Sequence, residues 1–167
     1  FEVHRLMAEV NLSGRNFRVA ERHASKAYKM VPNDPRVLSV YGEVSLRLGK
    51  IDQGLDALKL ALEIDPIAQG KTNSDSRTSP VLFGEYLARN KDNCLELVEK
   101  LEDIDSKSWL LTAKLCSDEE HDITEEDWYK RGKEEFNDKD WAAEVDSFRL
   151  NNEGAKESLI EFADSLF

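Results

Sequence analysis

Long apolar runs, histidines and paired cysteines are all scarce in this chain of 167 residues. No stretch approaches the roughly 20 apolar residues that a membrane-spanning helix requires. The opening FEVHRLMAEV carries neither a basic leader nor the apolar block of a signal peptide, so neither a membrane association nor a targeting segment is expected. Cys94 and Cys116 lack the Cys-x-x-Cys spacing of a zinc or redox site and are expected to be buried thiols, for which a reducing, cytoplasmic setting fits. His4, His23 and His121 are far apart, and none has a second ligand three or four residues away, so no metal site is expected. No serine occupies a Gly-x-Ser-x-Gly elbow. The expectation is a segment that is not an enzyme and needs no cofactor.

A further motif is present only in part. Gly70-Lys71-Thr72 matches the end of a phosphate-binding loop, but the first glycine of G-x-x-x-x-G-K-[ST] would fall at residue 65, which is Asp65. Such a loop also follows a β-strand, whereas LKLALEIDP has a helical pattern. The stretch GKTNSDSRTS has no apolar periodicity and reads as a polar loop.

What the chain does contain is charge and helical periodicity. Apolar residues make up 40% and charged residues 34%, enough apolar material to fold and enough charge for long, solvated helices. The net charge of −11 is unevenly placed: residues 1–66 hold 10 basic and 9 acidic residues, leaving 13 and 25 in the rest. An acidic C-terminal part disfavours nucleic acid, whose phosphates need clustered Lys and Arg. The carboxylates around His121, from Glu119 to Asp127, are expected to be a solvated helix start, not an acid–base site.

Residues 1–34 lie over residues 35–68 without a gap. Ala8 falls on Gly42, Phe17 on Ile51, Ala20 on Gly54, Ala24 on Leu58, Ala27 on Ala61 and Pro32 on Pro66. Small residues at three of these positions allow two antiparallel helices to approach closely. Gly14 and Gly49 mark the turn within each pair, and Asn16 and Asp52 lie near the start of the second helix. Pro32 and Pro66 follow a helix end. Asp34-Pro35 supplies a cap and a first-turn proline for the next helix. Beyond the polar loop, SPVLFGEYLARN and KDNCLELVEKLEDID form a further pair, with Ser79 as cap and Pro80 at the first position, and with Cys94 aligned on Gly54 and Leu101 on Ala61. SKSWLLTAKLCSDE is a helix opened by Ser106 or Ser108, and HDITEEDWYKRGKEEFN is one capped at Thr124. DKDWAAEVDSF follows, and NNEGAKESLIEFADSLF is a terminal helix covering the end of the stack with Leu159, Ile160, Phe162, Leu166 and Phe167.

On these residues the chain resembles the tetratricopeptide repeat family, most closely over residues 41–66, YGEVSLRLGKIDQGLDALKLALEIDP. His4 and Asn11 depart from the family's aromatic residues. The resemblance implies an all-α fold, an α–α superhelix: a solenoid of antiparallel helix pairs with a C-terminal capping helix. The expected organisation is two repeat units over 1–68, a polar insertion over 69–80, and degenerate pairs plus the cap over 81–167, all one domain. It also implies a protein–protein interaction module that binds a protein or peptide on its concave face. Mapped residue by residue, that face holds Arg5, Glu9, Leu12 and Ser13 in the first unit and Ser39, Glu43, Leu46 and Arg47 in the second. Glu9 and Glu43 stand where a carboxylate-clamping member has neutral residues, which argues against peptides recognised by a terminal carboxylate. The order of elements is also similar to the C-terminal repeat region of bacterial adenylate cyclases and winged-helix transcription activators. That second likeness implies a regulatory or oligomerising arm that forms a homo-oligomer. Phe1 in place of Met, with helical periodicity from the start, gives the expectation of a piece of a longer protein.

Overall fold

The computed structural model describes residues 1–66, 77–136, 138–151 and 157–167. Among them there are ten helices and no strand: α1 Glu2–Ser13, α2 Phe17–Met30, α3 Pro35–Arg47, α4 Ile51–Ile64, α5 Thr78–Leu87, α6 Lys91–Lys100, α7 Ser106–Asp118, α8 Asp127–Glu135, α9 Asp138–Asn151 and α10 Glu157–Ser165. Most helices pack against the next in sequence, α1 also touches α3, and α5 also touches α7. The all-α expectation holds, and the arrangement is one of helix pairs laid side by side. The Gly-Lys-Thr triplet and residues 69–76 of the expected insertion lie outside the described residues. Residues 78–80 of that insertion are already helical.

The pairs are closed by one turn used four times. A left-handed residue follows the first helix at Arg15 (φ 62°), Gly49 (φ 77°), Arg89 (φ 62°) and Glu120 (φ 56°). At each, three amide-to-carbonyl bonds recur with the same offsets. In the first turn Gly14, Arg15 and Asn16 donate to Val10, Leu12 and Asn11. In the last, Glu119, Glu120 and His121 donate to Leu115, Ser117 and Cys116. This pattern satisfies the carbonyls that a helix C-terminus leaves open. The expected role of Gly14 is corrected here. Gly14 keeps φ −79°, and Arg15, one period before Gly49, takes the left-handed conformation.

Close approach within a pair is set by the small residues the register predicts. Ala8, Ala20 and Ala61 are fully buried, and Ala27 is 1% exposed. A Cβ on Gly42 would lie 2.6 Å from Leu58 Cγ and 2.9 Å from the Gly54 carbonyl, so α3 and α4 touch backbone to backbone. Gly84 joins the third pair to the second by admitting a side chain, because its Cβ position is 2.5 Å from Leu55 Cδ2. The Asp34 carboxylate accepts from the Arg36 and Val37 amides at the start of α3, with Pro35 at the first position, as the sequence predicts.

Three helix starts differ from the sequence reading. Helix α5 begins at Thr78, so Ser79 lies inside it and gives its hydroxyl to Asp105 Oδ1 instead of capping. That same Asp105 caps α7 by accepting from the Ser108 amide, displacing Ser106 and Ser108 from the role. Thr124 gives both its amide and its hydroxyl to Asp122 Oδ1, forming a turn ahead of α8. At α7 aspartate takes the cap because a charged acceptor binds a backbone amide more strongly than a hydroxyl does. Helix α6 stops at Lys100, and Leu101 and Ile104 are buried from the connection that follows.

The main core runs from Leu46 in α3 to Ala163 in α10, with a group of rings around the fully buried Trp109. Trp141 meets Trp109 edge-on with centroids 5.3 Å apart, and Tyr129 stacks on it at the same distance. Helix α10 closes this end: Leu159, Ile160 and Ala163 are buried, and the Ala163 carbonyl accepts from Trp141 Nε1 at 2.7 Å. The first part of the expected terminal segment, residues 152–156, lies outside the described residues. At the other end the clusters are small, with Ala8, Ala20 and Ala24 meeting Val40 and Val44.

Candidate functional site

Helices α1 and α3 run side by side, and their outward residues line a groove of about 1160 Å³. Arg5, Glu9, Leu12 and Ser13 come from α1, and Ser39, Val40 and Glu43 from α3. The end of α4 adds Ile64 and Asp65, and Arg77 closes it ahead of α5. Six of the eight residues assigned from the sequence therefore line one cavity. Arg47 lies in a neighbouring pocket of about 190 Å³, with its guanidinium 5.1 Å from the centre of the Phe83 ring; Glu43 borders both cavities. Leu46 is a correction: it is 4% exposed and packs at the Gly54 and Gly84 close approaches, inside the core. Its position in the helix faces α4, not the groove.

The arginines of the groove are held by carboxylates. Arg5 donates to Glu2 Oε2 at 2.7 Å and to Glu9. Arg36 donates to Asp34 Oδ2 at 2.8 Å and to Glu2 Oε1 at 2.6 Å, a bond that links two residues one 34-residue period apart. Hydrogen bonding from Arg36 holds the Asp34 carboxyl below its ordinary value, and hydrogen bonding from Arg5 does the same for Glu2. Arg77 reaches the Asp65 carbonyl at 2.8 Å, its carboxylate at 3.2 Å and the Ser39 hydroxyl. The lining thus has three arginines against four carboxylates, Glu9, Asp34, Glu43 and Asp65. Between them Leu12, Val40 and Ile64 supply an apolar floor, and Ile64 is 46% exposed.

Sequence reasoning missed two polar features. His4 and His23, 19 residues apart, meet across α1 and α2 with Nδ1 to Nδ1 at 3.0 Å, one donating and the other accepting. Burial, followed by Lys26 and His23, pushes His4 below the ordinary histidine value. In the second unit the same two positions are Leu38 and Ala57, which pack together, so the pair replaces an apolar contact of the repeat. The second is Glu85, 1% exposed in α5. Lys59 approaches its Oε1 at 2.7 Å, and Asn90 and Asn93 donate to Oε2 at 2.8 and 3.2 Å. Burial alone would raise this carboxyl, but the hydrogen bonds from Lys59, Asn90 and Asn93 outweigh it and lower the value.

Both cysteines are fully buried, and burial raises Cys94 to about 12 and Cys116 to about 11. Neither thiol is poised for nucleophilic chemistry. Among the described residues no group of three or more His, Cys, Asp or Glu is placed to hold a metal ion. No helix among them is long and apolar enough to cross a membrane. Compared with protein-family models and with curated proteins, the chain matches none.

Proposed function

We propose that the chain is a tetratricopeptide-like interaction module and that the groove between α1 and α3 receives a peptide segment of a partner protein. The observation that carries this reading is the convergence of six residues, mapped from the resemblance to the repeat family, on one groove of about 1160 Å³ with an apolar floor and a charged rim. Its arginines are engaged by neighbouring carboxylates. With four carboxylates against three arginines in the lining, the preferred ligand is a segment that brings basic residues to this net negative rim and an apolar side chain to Leu12, Val40 and Ile64. This balance of charge supports internal segments over those recognised by a terminal carboxylate.

The test is fluorescence anisotropy with labelled 12–15-residue peptides in which basic and apolar residues are interspersed. The double variant Glu9→Lys, Glu43→Lys should weaken binding at least tenfold, about 1.4 kcal/mol, and binding to the native chain should fall with salt. Equal affinity for the native chain and the double variant would remove the groove from the reading.

A further inference from the structure

His4 of α1 and His23 of α2 meet where the second unit places Leu38 and Ala57. The second unit shows that the helix pair closes at this point without a polar group, since Leu38 is 1% exposed and Ala57 7%. The two imidazoles are instead half-buried and within reach of a small ion. Their Nδ1 atoms lie 3.0 Å apart, with ring centroids 5.3 Å apart and 35° between the planes.

Two nitrogen donors brought this close from separate helices can chelate one metal ion. Bonds of about 2.05 Å to both nitrogens enclose roughly 94° at the ion. A tetrahedral ion needs its two nitrogens roughly 3.3 Å apart, whereas a right angle is what copper(II) and nickel(II) take in square-planar or tetragonal sites. Both rings must then offer a lone pair. In the metal-free chain one Nδ1 carries the hydrogen that the other accepts. When both rings are neutral, that hydrogen passes through water to Nε2 of the same ring, a change of tautomer with no net loss of a proton. A turn of each ring brings the two lone pairs from each other to a common point. Lys26 and the α-amine of Phe1 place positive charge near His4, so the affinity comes from the two rings and not from the surrounding field. Among the described residues no third His, Cys, Asp or Glu completes a cluster, and water fills the other positions.

We propose that His4 and His23 form a two-histidine site for a divalent copper or nickel ion, which fastens α1 to α2. The ion replaces one hydrogen bond by two coordinate bonds, across a pair whose own contact rests on residues as small as Ala8 and Ala20. It steadies the helix that carries Arg5 and Glu9, and it does so whether or not the groove holds a peptide.

The experiment titrates copper(II), nickel(II) and zinc(II) chloride into the full chain in a non-coordinating buffer near neutral pH. Binding is read by calorimetry, by thermal midpoint and, for copper, by the nitrogen splittings of its electron paramagnetic resonance spectrum. The double variant His4→Leu, His23→Ala copies the Leu38–Ala57 contact, so it should keep the metal-free midpoint. The native chain should bind copper with splittings from two imidazoles, hold nickel more tightly than zinc, and gain in midpoint with either copper or nickel. Each single variant should weaken copper binding roughly a hundredfold, because the second donor is lost from high effective concentration. Equal copper binding by the native chain and the double variant overturns the proposal. So does binding lost in His4→Leu but kept in His23→Ala, which would put the ion on His4 and the α-amine of Phe1. Zinc held more tightly than nickel overturns the assignment to right-angle metals.

Discussion

Arg15 and Gly49 share one backbone conformation but not one side chain, and that difference is testable. At φ 62° an arginine bears the clash between Cβ and the carbonyl that makes left-handed residues unfavourable, whereas glycine at φ 77° does not. A Cβ on Gly49 would meet nothing within 4 Å, so the penalty of substitution there is conformational alone. Arg15→Gly should raise stability and Gly49→Ala should lower it, each by about 1 kcal/mol, read from urea midpoints. This turn also shows what the sequence can and cannot convey. The register is legible in Ala8, Gly42, Ala61 and the prolines, because small size and the lack of an amide leave a mark in residue type. The position of positive φ is not, because the hydrogen bonds of the turn impose it on Arg15, Arg89 and Glu120 regardless of type. Leu46 departs from its expected place for a related reason. A leucine on an amphipathic helix looks the same whether it faces a groove or a glycine notch on the next helix.

Helices α4 and α5 meet around a carboxylate. The α5 sequence TSPVLFGEYL is apolar around one acid, and no spacing rule announces that Lys59, in the preceding helix, will reach it. His4 and His23 are hidden likewise, since antiparallel packing and not sequence distance brings them together. Because the Glu85 carboxyl is lowered in the folded chain, its contribution is present above the unfolded value near 4.5 and is lost as pH falls through the folded one. Glu85→Gln should therefore destabilise by about 1.5–3 kcal/mol at pH 7, the range for hydrogen bonds to a charged group. The gap to the native chain should narrow as pH is lowered below 4. Urea unfolding at both pH values separates this from a packing defect, which would cost the same in each.

Across the whole molecule the packing is mostly between neighbours in sequence, but it is uneven. The α1–α2 pair rests on a small cluster with Ala8, Ala20 and Ala24. The later helices are tied together around Trp109, with α10 touching both α7 and α9. In mechanical terms the molecule is two unequal springs in series. Pulled from its two ends by optical tweezers, the chain should first release the α1–α2 pair, an extension of roughly 110–120 Å for a 34-residue unit. The remainder should then yield at higher force. A single rupture would mean that the thin alanine seam of α2 on α3 holds as firmly as the ring cluster at the other end.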